Sequence, residues 1–322
     1  MTILITGAGG FLGGHICRRL RARGQPVRGF DIAWSGERYS DDVTGSILEP
    51  EQLAEAFRGV TGVIHAAALA HLWTPGRFDY DRVNTFGTCR ILAEARRAGV
   101  KTVYVSSYTT LIGRDHADGS SVDETVEITP NRLCGRYPRS KRQAELFAQT
   151  AAEAGQHACI VQPTAPVGTG DHNLTPPSAM IRDLATGRIP ALLECALDLV
   201  DVEAVASATI AALEHGRTGH RYLLSGETVM LSDLAHQIAE ISGTPAPKAR
   251  VPLWVASAAA RVEAGLSHFT KRAPKAPLTG VRLAARKARF SSEKARSELG
   301  FAPRPITQIL PDATRWITRH HP

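Results

Sequence analysis

The sequence predicts an α/β chain, a doubly wound parallel sheet followed by a smaller C-terminal domain. Three observations predict it. Short apolar runs alternate with amphipathic stretches through the first half of the chain. A glycine-rich turn, Thr6-Gly7-Ala8-Gly9-Gly10-Phe11-Leu12-Gly13, directly follows the first such run. After Pro163 the alternation breaks in a segment carrying Pro166, Pro176, Pro177 and Pro190.

The elements follow in order. Thr2-Ile3-Leu4-Ile5 is apolar with no polar alternation and reads as a buried central strand. A helix through Ile16, Cys17 and Leu20 stops at Gly24, a good C-terminal cap. Val27 to Phe30 is the next strand, ending in Asp31. Pro50 to Phe57 is a short helix entered by proline, Val60 to His65 a strand, and Asn84 to Ala98 a helix stopping at Gly99. Strand Thr102 to Val105 ends in Ser106-Ser107, helix Pro138 to Glu153 follows, and Ala158 to Val161 is a strand. Periodic segments return at Asp201 to Leu213, Ser232 to Ile241 and Trp254 to Leu266. Right-handed crossovers place the carboxyl ends of all parallel strands on one edge, where a ligand binds. The expected division is 1–162 plus 197–215 in a first domain and 163–196 plus 216–322 in a second.

Composition narrows the functional classes. The chain has 322 residues, 43% hydrophobic, enough to bury a large core. Its net charge of +7 is mild, and its densest basic stretch, Lys271 to Arg296, lacks the aromatics of a base-stacking platform. Nucleic acid is not an expected partner; a small molecule is. Cys17, Cys89, Cys134, Cys159 and Cys195 are scattered without pair spacing, and Cys17 and Cys89 are read on apolar helix faces. That suits a reducing cytoplasm. No histidine spacing suggests a metal, no leader precedes the first strand, and no apolar run is long enough to span a bilayer.

The chemistry begins at the glycine turn. Gly7 permits the tight turn, Gly10 lets the backbone approach a pyrophosphate, and Gly13 lets helix and strand pack closely. The helix start offers free N–H groups and a positive dipole end at Phe11 and Leu12. Asp31 sits where a carboxylate accepts hydrogen bonds from the adenosine ribose, and it repels a 2′-phosphate. This is a Rossmann reading, with NAD as cofactor and the second domain as the substrate domain. Tyr137 and Lys141 stand four apart on one helix and share a face. A free phenol is a poor acid or base at neutral pH, and a nearby ammonium and a nicotinamide cation are expected to bring its pKa towards the working range. Ser107, at the tip of the preceding parallel strand, is placed to hold the substrate oxygen.

With these motifs the chain resembles the extended short-chain dehydrogenase/reductases over nearly its whole length. Val63-Ile64-His65-Ala66-Ala67-Ala68, Asn84-Thr85-Phe86-Gly87-Thr88 and Val161-Gln162-Pro163 resemble further family signatures. Within the family it is similar to the dihydroflavonol-reductase-like branch and its hopanoid-associated sugar-epimerase-like proteins. Ala70-His71-Leu72-Trp73, Cys134 to Lys141, Asp198-Leu199-Val200-Asp201-Val202 and Phe290 to Gly300 carry that likeness. The resemblance implies a catalytic set of Asn84, Ser107, Tyr137 and Lys141, with Asn84 holding a water in a relay to Lys141. It implies cofactor contacts at Gly7, Gly10, Phe11, Leu12, Gly13, Asp31, Ser46, Ile47, Ala66, Ala67, Ala68, Tyr137, Lys141 and Pro163. It also implies a homodimer.

Three departures from the family matter. Gly45-Ser46-Ile47 stands where an acid usually grips adenine. The serine loop has one extra residue, so counting from the strand selects Ser107, whereas counting back from Gly113 selects Tyr108. The arginines with which nucleotide-sugar members grip a diphosphate are missing: Leu197 precedes Asp198, and no Arg-Pro-Gly-Asp occurs. The expected reaction is therefore interconversion of a secondary alcohol and a ketone on a non-nucleotide substrate of little charge. Trp73, Tyr108, Thr109, Leu111, Pro166 and Leu174 are expected to line the substrate end. Epimerisation by transient oxidation and a non-catalytic dinucleotide sensor are the alternatives. Arg282 or Arg289 could replace the missing clamp. Pro252 to Leu266 is read as a helix packed over the cleft, not one lying on a membrane.

Overall fold

A computed structural model describes residues 2–76, 78–116, 119–270, 272–274 and 277–322, without the side chains of His268 and Phe269. Lys271 and Lys275 of the basic stretch lie outside the described residues.

The centre is a seven-stranded, wholly parallel sheet. Its first strands are β1 (Thr2–Thr6), β2 (Val27–Asp31), β3 (Val43–Thr44), β4 (Val60–His65) and β5 (Lys101–Val105). From one edge the order is Arg221–Leu224, Ala158–Pro163, β5, β4, β1, β2, β3. Successive side chains on a strand point to opposite faces, and β1 shows both faces buried. Leu4 packs with Leu53, Ile91 and Ala95 on one side. Ile5 packs with Ile16, Val205 and Ala206 on the other. Burial on both faces is why β1 reads as a continuous apolar run.

Helix α1 (Phe11–Ala22) follows β1, and α2 (Pro50–Ala56) and α3 (Thr88–Ala98) cover the opposite face. A π-helical turn, Asp81–Gly87, leads into α3. The long α4 (Arg136–Glu153) crosses from β5 to Ala158–Pro163.

The smaller unit is built on a three-stranded sheet. Ala196–Asp201 lies at its centre, pairing parallel with Ala165–Val167 and antiparallel with Glu227–Met230. Helices α5 (Pro176–Ala185), α7 (Leu231–Ser242) and α11 (Ile306–His320) close a second core through Ile181, Leu234, Ile238, Ile309 and Leu310.

The chain crosses between the two units more often than the sequence suggests. Arg221–Leu224 is the seventh strand of the large sheet, although residues 216–322 read as the smaller unit. Ala295, Leu299 and Phe301 pack into the large core with α6 (Val202–His215). Conversely, Leu197 to Asp201 belongs to the small sheet. A strand's address is set by its pairing partner, which is non-local, so a run of buried residues does not reveal it.

Helix α8 (Leu253–Thr270) buries Ala260 and Ser267 on one side, and Ser267 Oγ accepts a 3.3 Å hydrogen bond from Trp73 Nε1. This is the inward packing the sequence predicts. Its other side exposes Leu253, Trp254, Val262 and Leu266, with Trp254 at 75%. No helix among the described residues is long and apolar enough to cross a membrane. Cys89 is exposed on α3, contrary to the apolar face expected for it; the buried stripe runs through Ile91, Leu92 and Ala95.

Candidate active site

The glycine turn has the geometry its residues dictate. Gly7 takes φ +75°, and a Cβ there would stand 2.6 Å from Ala67 N. A Cβ on Gly13 would stand 1.9 Å from the Gly7 carbonyl oxygen, so only glycine lets α1 start this close to β1. On Gly10 a Cβ would meet the Gly7 oxygen alone within 4 Å, at 3.2 Å, so its outer side is open. Helix α1 has no side-chain cap and no acid in its first turn, leaving its first N–H groups to an anion at Phe11 and Leu12.

Asp31 ends β2 beside this turn. Its Oδ2 accepts from Gly9 N at 2.9 Å and its Oδ1 from Ile32 N at 2.7 Å. Burial raises its pKa and these backbone bonds oppose the rise. A carboxylate has about four acceptor sites, so acceptor capacity remains for a diol. Ala66 N donates to Thr6 O at 3.0 Å, bringing the Ala66-Ala67-Ala68 segment against Gly7. Ser46 Oγ accepts from Leu48 N at 3.1 Å and keeps its own proton to donate, while Ile47 is buried beside Gly87. Pro163 ends its strand on the same sheet edge. These residues fit a dinucleotide: an open backbone cradle, an uncapped helix start and an acid at the adjacent strand end.

Beneath the cradle, His65 is completely buried, and its bonding fixes its tautomer. Thr88 Oγ1 gives its only proton to Asn84 O at 2.6 Å, so it must accept from His65 Nε2, 2.9 Å away. Nδ1 is then the acceptor for Thr6 Oγ1 at 2.7 Å. Burial, aided by the charge of Lys141, lowers the His65 pKa to about 3.

Tyr137 and Lys141 lie one turn apart near the start of α4, both buried. The Ser107 side chain acts on the Tyr137 phenol, opposing the rise that burial gives its pKa. Ser107 caps a short 3₁₀ turn, Tyr108–Leu111, and its Oγ also accepts from Thr109 Oγ1 at 3.1 Å. Ser107, the residue that counting from the strand selects, stands beside the phenol. Tyr108 instead packs edge-on against Phe290, ring centroids 5.3 Å apart.

Lys141 Nζ donates to Val105 O at 2.6 Å and lies 4.6 Å from the Tyr104 ring centre. Burial pulls its pKa down to about 7, with Glu145 opposing. Lys141, one of the two charges expected to lower the phenol pKa, is not among the groups that shift it. Burial pushes Tyr137 up to about 12, and Ser107 is what offsets it. The ammonium is aimed at the carbonyl of β5 rather than at the phenol, which is the physical reason.

Asn84 lies in the π-helical turn. Its side chain donates to Leu69 O at 3.2 Å and Ser140 Oγ at 3.1 Å, and accepts from Leu69 N at 2.8 Å. Those bonds hold the loop after β4 to α4, and none of them goes to Lys141.

The expected substrate residues divide. Trp73 is tied to α8 through Ser267, Tyr108 packs on Phe290, and Thr109 holds Ser107. Leu111 is fully buried among Ile112, Val122 and Leu223, so it is core and not substrate surface. Pro166 lies in the small sheet, and Leu174, at φ +51°, packs against the smaller core with Pro166's neighbour Ala165. That packing takes Leu174 into the smaller unit's core.

Sequence reasoning missed Tyr80 and Glu145. Tyr80 lies 6.0 Å ring-to-ring from Tyr137 and donates to His71 O at 2.6 Å. Glu145, 0% exposed by residue, accepts from Ser106 Oγ at 2.5 Å, Thr110 Oγ1 at 2.8 Å, Gln162 Nε2 at 2.9 Å and Arg142 Nη1 at 2.9 Å. It fastens the serine loop, α4 and the strand Ala158–Pro163 together. Its spacing of four beyond Lys141 was a visible signal.

The fold and this strand-edge constellation define a class, the nicotinamide-dinucleotide enzymes with a tyrosine–lysine helix. Residues 3–225 match the NAD dependent epimerase/dehydratase family, and the chain belongs to that family. It is an NAD-dependent enzyme of the extended short-chain dehydrogenase/reductase type, and NAD is its cofactor. A Synechocystis sp. protein carrying the provisional name dihydroflavonol 4-reductase is 34% identical, covering 98% of this chain and 94% of that one. Sterol demethylase protein B of Methylococcus capsulatus is 30% identical, covering 98% of both. The crystal structure of gox2253 superposes with a TM-score of 0.84 at 34% identity, covering 99% of this chain and 98% of that one. Other relatives carry reductase and dehydrogenase names.

Proposed function

We propose that this enzyme interconverts a secondary alcohol and a ketone on a substrate without a nucleotide, with Tyr137 as the general acid/base. The observation that carries the reading is the buried Tyr137, one helical turn from Lys141 and beside Ser107 at the carboxyl edge of the sheet. A phenol held near a pKa of about 12 keeps its proton at neutral pH and is a donor to a carbonyl oxygen. Ser107 orients that oxygen. Lys141, anchored on Val105 O, would hold ribose hydroxyls. The glycine turn would hold the pyrophosphate and Asp31 the adenosine diol; bound NAD supplies the hydride acceptor or donor. Asn84 acts through Ser140 and the Leu69 loop.

Support for a non-nucleotide substrate comes from the segment Leu197 to Asp201. Leu197 packs toward the core of the smaller unit, and Asp198 accepts from Gly226 N and Thr228 Oγ1, both at 2.9 Å. The position is spent on joining strands, where nucleotide-sugar members would carry an arginine. The reductase and dehydrogenase names among the relatives support net redox chemistry. Five unpaired cysteines suit a cytoplasmic setting, and the homodimer rests on family resemblance.

The test is a panel of cyclic ketones and alcohols followed at the NADH absorbance band. Stoichiometric NADH consumption supports the reading. Product formation with no net NADH change supports the epimerase alternative and overturns it.

A further inference from the structure

A feature that the proposed reaction leaves unexplained lies outside the dinucleotide cradle. Arg114, Arg261, Arg282 and Arg286 converge on a cavity of about 460 Å³ that Leu253 and Cys134 also line. They come from three places: the loop after the 3₁₀ turn, helix α8, and the α9 (Leu278–Ala284) region. No carboxylate is among the described residues lining it. The acid that acts on Cys134, Asp115, is engaged by Arg132 at 2.9 Å.

Two of the arginines are built into the wall. Arg114 Nε donates to Leu133 O at 3.2 Å, and Arg286 donates to the carbonyls of His116 and Arg114. Arg261 and Arg282 have no ion-pair partner among the described residues. Arg286, Arg282 and Arg114, in that order, pull against the burial that raises the Cys134 thiol pKa. Their charge is therefore felt inside the cavity. Arg261 and Arg282, facing one space with no ion-pair partner among the described residues, offer guanidinium donors to an anion there.

We propose that this cavity is a phosphoryl-anion site, separate from the dinucleotide cradle. A carboxylate brings one charge and two oxygens. A phosphate ester brings three acceptor oxygens and between about 1.5 and 2 negative charges, which suits several guanidinium forks. The site stands three residues before Tyr137 in the chain, at Cys134, and beneath the exposed apolar side of α8. The phosphoryl group belongs either to a soluble phosphate ester or to a lipid headgroup under that helix.

The full-length chain, saturated with NAD so that the glycine turn is filled, is titrated with inorganic pyrophosphate by calorimetry. In parallel it is co-sedimented with phosphatidylglycerol vesicles and with phosphatidylcholine vesicles. Pyrophosphate binding that weakens on the order of tenfold or more in the Arg261→Ala, Arg282→Ala double variant supports the site with a soluble ligand. Selective co-sedimentation with phosphatidylglycerol, lost in that variant, supports the site with a headgroup. Binding to neither probe, or binding to either that the double variant leaves unchanged, overturns the proposal. Tyr137→Phe should bind either probe as the unsubstituted chain does, so failure of the redox reading is separable from failure of this one.

Discussion

Lys141 donates a 2.6 Å hydrogen bond to the carbonyl of Val105, the last residue of β5. The bond ties the catalytic helix to the strand whose next residues are Ser106 and Ser107. Ser106 is bonded in turn to Glu145, one turn beyond Lys141. Phenol, ammonium and hydroxyl are thus set by one rigid joint between a strand end and a helix face.

Tyr137→Phe removes the proton donor and leaves the ring's packing in place. kcat should fall on the order of 10²-fold or more, the usual scale for general acid–base catalysis, with NADH affinity little changed. Stopped-flow turnover beside NADH fluorescence titration checks this. Near-normal turnover would place the donor elsewhere, with Tyr108 the first residue to examine.

Asp31 should make the enzyme prefer NAD(H) over NADP(H) by at least about tenfold, roughly 1.4 kcal/mol. The cause is repulsion between its carboxylate and a 2′-phosphate. Arg28 does not offset this, because its guanidinium is held by the carbonyls of Ala56 and Arg58. Arg38 is turned onto Trp34, 5.7 Å from its ring centre. The ratio of kcat/KM values measures the preference, and Asp31→Ala should narrow it. Equal use of NADP(H) by the unsubstituted enzyme would refute this role.

His65 should make the fold acid-sensitive. Its pKa is about 3 in the folded chain against an ordinary 6.5, because burial and then the charge of Lys141 disfavour the imidazolium. Between those values the unfolded chain binds the extra proton, so stability is fully present above 6.5 and is lost as pH falls toward 3. The slope is about 1.4 kcal/mol per pH unit for one proton. Urea unfolding at pH 7 and pH 4 should show a smaller drop for His65→Gln. Identical drops would remove His65 as the cause.

Glu145→Ala should destabilise by about 3–5 kcal/mol, the range for breaking a buried ion pair from one side. Arg142, itself buried, would keep only its bond to Glu127 within the ion-pair network. Ser106, Thr110 and Gln162 would lose a shared acceptor. Glu145→Gln should cost less, since it keeps an acceptor oxygen. Urea midpoints for both variants check the order, and equal stability of all three proteins would contradict it.

What the sequence determined by itself was local. The turn at Gly7 to Gly13 is written in consecutive residues because one close approach demands glycine at each end. Tyr137 and Lys141 are legible because helical periodicity alone puts them on one face. The parallel sheet is legible because strands buried on both faces carry unbroken apolar runs, as β1 does. Tertiary structure decided whatever depended on distant partners. Arg221–Leu224 became the seventh strand because Ile160 to Pro163 pairs with it. Leu111 became core rather than substrate surface because Val122 and Leu223 close over it. Arg114, Arg261, Arg282 and Arg286 are up to 172 residues apart in sequence and meet only in the folded chain. Hydrogen bonds and packing over a few residues are fixed by spacing, whereas contacts across a hundred are fixed by topology, which no local pattern encodes.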